Sequence, residues 1–330
     1  MSDYKVKFAG ISMAVPEKVL TNADLEKIVD TSDEWIRTRT GMVERHISDK
    51  ETPSSELAFR AVEKIFKKGK IKPKDIELII VATVTPDYVF PSTACILQKK
   101  MGIHPIPAFD ISAGCSGFIY GVTIAKQFIE NGIYKTALVV GVEELTKIIN
   151  WTDRGTCVLF GDGAGAAVLT RANKGEISEV IDTYISSEGK YGDLLNMPAG
   201  GSKMPASQET VKKNLHTVFM NGNKIFKIAV KSMGDSATII LERNGLSGND
   251  LNWLITHQAN LRIIDATARR LKLSPQKVIV NIEKYGNTSA ASIPIAFAEA
   301  VEDGRIRRGD LVLLDAFGAG LTWGSVLLRY

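Results

Sequence analysis

Apolar and small residues alternate from Val6 to Ala14, and the pattern stops before Pro16, which predicts a first strand. Thr21-Asn22-Ala23-Asp24 has the capping pattern of a helix start and leads into Leu25-Glu26-Lys27-Ile28-Val29. A second capped start, Ser32-Asp33-Glu34-Trp35, opens a helix that closes at Gly41. Ser54 to Phe66 carries apolar residues at helical spacing, and Cys95 to Met101 reads as a further helix. Leu78 to Ala82 and Ala137 to Val142 are unbroken apolar runs, as expected for strands covered on both faces. A short apolar strand, Ala108 to Ile111, runs through a small-residue turn into an apolar helix that starts at Cys115 and ends near Gly132. The glycines at 161, 163 and 165 do not have phosphate-loop spacing, and no Gly-Lys-Ser/Thr follows them. They read as a tight turn feeding a closely packed strand, Ala167-Val168-Leu169.

The pattern then repeats. Lys74 to Ile80 resembles Asn249 to Ile255, with Asp75 matching Asp250 at an offset of 175. Asn131-Gly132-Ile133 and Leu138-Val139-Val140 resemble Asp303-Gly304-Arg305 and Leu311-Val312-Leu313, at an offset of 173 for the second set. Ala164 to Leu169 resembles Thr322 to Leu327 more loosely. A shared register across strands and helices predicts a duplication: two α/β halves, residues 1–172 and 173–330, divided between about Thr170 and Gly175. Packed about a pseudo-twofold axis, equivalent positions converge. Ala82 aligns with His257, and Cys115 aligns with Asn287 at an offset near 172. Sites in such sheets lie at the carboxyl ends of the strands.

Composition narrows the class. An apolar fraction of 45% over 330 residues can build a sizeable core. No run of eighteen apolar residues occurs, and Met1-Ser2-Asp3-Tyr4-Lys5 has no apolar stretch of a signal peptide, so the expectation is a cytoplasmic protein. Three cysteines, Cys95, Cys115 and Cys157, make neither a disulfide framework nor a zinc site, and the four histidines lack metal-ligand spacing. A net charge of +4 does not argue for nucleic acid. The basic residues are clustered, however. Lys67, Lys68, Lys70, Lys72 and Lys74 read as a solvated face, and Arg262, Arg269, Arg270, Lys272 and Lys277 are opposed only by Asp265.

Cys115 stands at a helix start, where unpaired N–H groups and the positive end of the helix dipole lower a thiol's pKa. Gly114 and Gly117 leave the sulfur approachable. His257 follows the apolar run Trp253-Leu254-Ile255-Thr256 at a strand's end, and Asn287 lies in a turn leading to another helix. Cysteine, histidine and asparagine in that order suit transfer of an acyl group to a thiolate. A papain-like protease also uses the three types, but with an early Cys-Gly-Ser/Ala-Cys signature and usually disulfides, against Gly114-Cys115-Ser116-Gly117 here. A thioester hydrolase would pass the acyl group to water, and a binding module would form no covalent adduct.

Four stretches, Gly114 to Phe118, His257 to Arg262, Gly286 to Ser292 and Ala316 to Gly324, resemble the β-ketoacyl-[acyl-carrier-protein] synthase III family. Thr31 to Ile36, Thr38 to Gly41 and Thr152 to Thr156 add to the likeness, which spans essentially the whole chain. The resemblance implies a thiolase-like, five-layered αβαβα fold with a mixed, mainly parallel sheet in each half. It implies decarboxylating condensation of an acyl-CoA primer, acetyl-CoA foremost, with malonyl-acyl carrier protein, starting fatty acid synthesis without a cofactor or metal. A relative using a branched or longer primer is the alternative within the family.

Carried over residue by residue, the family's nucleophile is Cys115. His257 and Asn287 serve the malonyl substrate, and the backbone N–H groups of Cys115 and Ala319 form an oxyanion hole. Ala319 is a mild departure, because glycine is also common there. Trp35 and Arg154 match the adenine-stacking pair, Thr31 and Arg39 the nucleotide's polar contacts, and Asn260 the pantetheine contact. Phe317 and Phe90 match the acyl pocket, Phe90 as the residue that reaches into a homodimer partner. The segment Gln258, Ala259, Asn260, Leu261 and Arg262, with Lys227, Arg269 and Arg270, matches the carrier-protein docking patch. No nucleic-acid or membrane partner is implied.

Overall fold

The computed structural model describes residues 4–330. In the first half, β1 (Val6–Ala14), β2 (Leu78–Ala82), β3 (Ala108–Ile111), β4 (Thr136–Glu144) and β5 (Asp162–Arg171) form one sheet in the order β1-β5-β4-β2-β3. In the second, β6 (Glu179–Ser187), β7 (Trp253–Thr256), β8 (Val278–Ile279), β9 (Leu311–Gly318) and β10 (Thr322–Arg329) repeat it in the order β6-β10-β9-β7-β8. β5 runs antiparallel to both its neighbours, and so does β10, while the other pairings are parallel. Four strands of each sheet therefore point one way, which makes the sheets mixed and mainly parallel.

The helices fill three layers around the two sheets. After the capped helix α1 (Asp33–Thr40), α2 (Ser54–Lys67) and α3 (Thr93–Met101) cover the outside of the first sheet. α4 (Gly117–Glu130) lies between the sheets, α5 (Gly222–Arg243) and α6 (Leu261–Arg270) cover the outside of the second, and α7 (Ser292–Glu302) joins α4 in the middle. α4 and α7 are apolar nearly all round, as a helix covered on both sides must be. Phe118, Ile119 and Val122 of α4 and Ile293, Ala296 and Phe297 of α7 pack with residues of both sheets in one core. Each large apolar side chain buried there contributes about 1.5–3 kcal/mol. Among the described residues, no helix is long and apolar enough to cross a membrane, and no group of three or more His, Cys, Asp or Glu is placed to hold a metal.

Two expectations need correction. Gly163 and Gly165 lie within β5 and not in a turn before it. The second concerns the partner position of Cys115. β3 and β8 correspond at an offset of 170, since Ala108 pairs with Ile79 and Val278 with Leu254. The one-turn helices Gly114–Ser116 and Ser289–Ala291, and the helices α4 and α7 after them, correspond at 175. Five residues are therefore inserted between strand and turn in the second half, where a short helix Ile282–Tyr285 lies. The position equivalent to Cys115 is Ala290. At that offset Asn287 corresponds to Ser112, directly after the inserted residues, and not to Cys115.

The halves meet closely where the sites converge. A β-carbon on Gly141 of β4 would lie 2.2 Å from the Ala290 carbonyl oxygen. Only glycine lets the Ser289–Ala291 turn lie on the strand there. Gly141→Ala should lower stability by about 1–3 kcal/mol or more, the scale of overpacking a core, measured by urea unfolding at neutral pH.

Candidate active site

The turn after β3 and the turn after β9 interlock. Gly114 has φ +52, and a β-carbon there would sit 2.6 Å from the Ala319 nitrogen. A β-carbon on Gly318 would sit 2.4 Å from the Cys115 nitrogen. Thr322 Oγ1 donates to the Ala113 carbonyl at 2.8 Å, and Ser116 Oγ donates to the Thr322 carbonyl at 3.0 Å, tying the turns together. The N–H groups of Cys115 and Ala319 thus lie side by side, and neither has an acceptor in another residue among the described residues. Two free, adjacent donors beside a thiol are the parts of an oxyanion hole.

Cys115 sits in the one-turn helix ahead of α4, and α4 itself begins at Gly117. The thiol does not have the lowered pKa expected of a helix start. Burial first, and the nearby Glu143 carboxylate second, push it up to about 12, against a hydrogen bond with Ser289 that works the other way. Desolvation is the largest of these influences.

His257 follows β7 directly, and its N–H donates to the Asp315 carbonyl at 2.8 Å. Burial pushes its imidazole down to about 3, so the ring is neutral near pH 7. Its Nδ1 lies 2.7 Å from Ser292 Oγ, which accepts from the Gln258 N–H at 3.4 Å. The Ser292 hydroxyl has no other acceptor among the described residues, so its hydrogen goes to Nδ1 and the ring proton resides on Nε2. Asn287 is held by its backbone, which donates to the Leu159 carbonyl at 2.9 Å and accepts from Gly161 N–H at 3.0 Å. Its Oδ1 accepts from the Ser289 N–H at 2.9 Å, and its Nδ2 hydrogens have no acceptor among the described residues. Both side chains are therefore set as donors.

Cys115, His257, Asn287, Phe317 and Ala319 line one cavity of about 190 Å³. The rest of its wall is apolar, with Met220, Ile225 and Met233 among the contributors, apart from Asn196 and Ser289. Asn287, Ala259 and Ile225 also line an adjoining groove that leads outward to Trp35, Arg39, Asn260, Arg262 and Lys227. The cavity and groove make one passage from an aromatic and cationic mouth to the thiol.

At the mouth, the Arg39 and Arg154 guanidinium carbons each lie 4.8 Å from the centre of the Trp35 ring. Arg154 also donates to the Asp30 carbonyl at 2.9 Å. A base stacking on Trp35 has to displace one of these cations. The Thr31 hydroxyl is buried without a partner among the described residues. Asn260 caps α6, with its Oδ1 accepting from Arg262 N–H at 2.9 Å and its Nδ2 donating to the Arg39 carbonyl at 3.0 Å. The oxygen caps α6, one Nδ2 hydrogen ties that helix to α1, and the second Nδ2 hydrogen has no partner among the described residues.

The expected docking segment divides. Gln258 is only 1% exposed and is bonded to Thr256, Ile279 and Asn281, so it holds the sheet edge together and does not face a partner. Ala259 lines the passage, and Leu261 packs against Gly41. Arg262, Arg269, Arg270 and Lys227 are exposed. Arg262 donates to the Thr38 carbonyl at 2.9 Å, and Arg270 pairs with Asp235 at 3.0 Å. Phe90 is 84% exposed on a loop with Tyr88 and Val89, away from this chain's own cavity.

Sequence reasoning missed Ser289, Ser292 and Glu143. The serines stood inside the Gly286 to Ser292 motif, where Asn287 drew the attention. Glu143 was visible as an acid extending an apolar strand, a pattern that signals a buried charge.

The chain matches two family models. Residues 109–189 match 3-oxoacyl-[acyl-carrier-protein (ACP)] synthase III, and residues 241–330 match its C-terminal part. It is 58% identical to a β-ketoacyl-[acyl-carrier-protein] synthase III from Caldanaerobacter subterraneus, over 97% of this chain and 96% of that protein. It is 51% identical to one from Clostridioides difficile, over 99% and 98%. A crystal structure of the Aquifex aeolicus 3-oxoacyl-[acyl-carrier-protein] synthase III superposes with a TM-score of 0.91 at 47% identity, covering 98% of this chain and all of that one. A passage ending on one thiol, two sets of hydrogen-bond donors around it and this likeness along the full length agree, and the chain belongs to the β-ketoacyl-[acyl-carrier-protein] synthase III family.

Proposed function

We propose that this protein condenses a short acyl-CoA with malonyl-acyl carrier protein to give a 3-ketoacyl-acyl carrier protein, CoA and CO₂, starting a fatty acid chain. The observation that carries this reading is that two separate donor sets face one cavity with a single thiol. Acyl-CoA enters along the groove from Trp35, and the Cys115 sulfur attacks its thioester. The Cys115 and Ala319 N–H groups hold the oxyanion, and CoA leaves. Malonyl-acyl carrier protein follows. As CO₂ departs, negative charge gathers on the thioester oxygen, where His257 Nε2–H and Asn287 Nδ2–H donate to it. The enolate carbon attacks the acyl-cysteine, and the product leaves on the carrier.

A thioester hydrolase needs a base to activate water. A neutral histidine with its proton on Nε2 and its basicity suppressed by burial is a donor and a poor base. The experiment is incubation with acetyl-CoA and malonyl-acyl carrier protein, followed by product identification. Ketoacyl-carrier is the expected product. Free acid would support the hydrolase, and absence of both turnover and adduct would support a binding protein.

The division of the chain into residues 1–172 and 173–330 is supported by the two strand sets, since β5 ends at Arg171 and β6 begins at Glu179. A second copy of the chain is supported by the exposed Tyr88, Val89 and Phe90, an apolar loop fit to enter a partner's acyl pocket. The carrier's acidic helix would dock on Lys227, Arg262, Arg269 and Arg270. Lys227 and Arg269 carry no ion pair among the described residues, so they are the clean probes. The Lys227→Glu, Arg269→Glu double variant should raise KM for malonyl-acyl carrier protein several-fold in low salt and leave kcat unchanged. The difference should shrink as salt screens the charges. An unchanged KM at low salt moves the docking face elsewhere.

A further inference from the structure

Arg45 stands in the short strand Glu44–His46, which pairs with Val19–Thr21, and it is fully buried. Its hydrogen-bond partners among the described residues are all neutral. Nη1 donates to the Leu20 carbonyl at 3.2 Å and to Asn22 Oδ1 at 2.9 Å, and Nη2 donates to the Val158 carbonyl at 2.8 Å. Nε has no partner among the described residues. A cation taken out of water without a carboxylate is costly. What a guanidinium supplies at such a place is a rigid, planar fork that fixes several acceptors at once. Two of the acceptors lie beside Arg45 in its own hairpin and the turn after it. The third, Val158, opens the stretch that carries Asn287.

Residues 158–161 and 285–287 form a clasp. The Leu159 carbonyl accepts from the Asn287 N–H at 2.9 Å, the Gly161 N–H donates to the Asn287 carbonyl at 3.0 Å, and Phe160 between them pairs with Asn287 in a parallel bridge. Arg45 backs both sides of it. A β-carbon on Gly161 would lie 3.0 Å from Arg45 Cβ and 2.5 Å from the Tyr285 carbonyl oxygen. One on Gly286 would lie 3.3 Å from Arg45 Cβ and 2.9 Å from the Leu159 carbonyl oxygen. On the other side of the fork, Asn22 Nδ2 donates to Asp33 Oδ1 at 2.8 Å and to the Met42 carbonyl at 2.9 Å, which anchors Arg45 to the first turn of α1. Phe160 and Asn287 line the cavity, and Arg45 lies behind them, outside its wall.

We propose that Arg45 is a positioning residue for Asn287: by fixing the Val158 carbonyl against α1, it sets the depth and aim of the Asn287 amide, and it serves decarboxylation and not acylation; this rests on the acyl-transfer reading above. A donor displaced by about 1 Å loses on the order of 10² in rate, so a backbone clasp without its buried brace is enough to blunt the amide. The acylation pair has separate supports. The Cys115 and Ala319 N–H groups are held by the turns after β3 and β9, which Thr322 and Ser116 tie to each other. None of the three Arg45 hydrogen bonds goes to those turns.

The test measures the two half-reactions separately at saturating substrate. R45M keeps an unbranched apolar stem and removes the fork. It should slow malonyl decarboxylation by pre-acylated protein on the order of 10²-fold. Self-acylation from acetyl-CoA, followed by mass spectrometry, should stay near the wild-type rate. In an N287A background R45M should cost nothing further, because the amide it misplaces is already gone. R45K should lose most of the decarboxylation rate as well, since a compact ammonium does not span acceptors that two separate nitrogens reach. Decarboxylation by R45M at the wild-type rate overturns the proposal. So do equal losses in both half-reactions, or losses that multiply in the R45M/N287A double variant, because these mark a general structural role. An R45K rate equal to wild type assigns the effect to charge and overturns the fork. Circular dichroism checks folding, and if R45M is unfolded, R45K and R45K/N287A decide by the same comparison. N287A decarboxylating at the wild-type rate, or wild-type protein that never acylates, would overturn the acyl-transfer reading and not merely the brace.

Discussion

Cys115→Ser should abolish covalent capture of the acyl group, with turnover falling on the order of 10⁶-fold, the scale of losing a covalent nucleophile. The variant keeps the shape of the site. It also keeps the N–H groups of Cys115 and Ala319, because these belong to the backbone. The missing property is chemical. An alcohol holds its proton far more tightly than a thiol and is the weaker nucleophile, and the site offers it no strong base. Intact-protein mass spectrometry after incubation with acetyl-CoA should show the acetyl adduct on wild type and none on the variant. Binding of acetyl-CoA itself should persist, because the passage from Trp35 inward is untouched. Normal labelling of the variant would remove Cys115 as the nucleophile.

His257→Ala and Asn287→Ala should separate the two half-reactions. Each removes one donor to the enolate oxygen, which predicts a loss of about 10²–10³ in malonyl decarboxylation, or about 2.7–4 kcal/mol on the barrier. Self-acylation from acetyl-CoA should survive in both, since its oxyanion rests on the backbone pair. The pH dependence sharpens the assignment. His257 donates in its neutral form, and it charges only as pH falls toward about 3. Decarboxylation by pre-acylated protein should therefore show no histidine limb between pH 5 and 8. A limb near the ordinary histidine value would mean that His257 acts as a titrating acid or base. Condensation at the wild-type rate in either variant would remove the donor role of that residue.

Much of this site is legible in the chain because local features announce it. Cys115 and His257 stand where an apolar run gives way to a polar or small-residue turn, and such junctions mark strand ends, whereas Asn287 follows the short helix Ile282–Tyr285 and is marked by its turn residues. The unbroken runs Leu78 to Ala82 and Leu311 to Leu314 announce doubly covered strands, and they are fully buried apart from Leu311, which is 3% exposed. Misreadings cluster where burial decides. Gln258 looks like a surface residue beside Arg262, yet it bridges two strands and the turn beyond. The glycines of β5 look like a turn, because the close approach that demands small residues comes from α7 in the other half.

By itself, the sequence determined the duplicated α/β plan, the apolar strands and capped helices, and the identity of the thiol, imidazole and amide. These follow from periodicity and residue chemistry, which act over a few neighbours. Tertiary structure alone decided the protonation states and the aim of each group. Burial by distant elements pushes the thiol up and holds the imidazole neutral. Ser292, 35 residues from His257, orients that ring, and Ser289, 146 residues from Glu143, donates to that carboxylate beside the thiol. Desolvation depends on everything within several ångströms in space, and a linear chain does not display that neighbourhood.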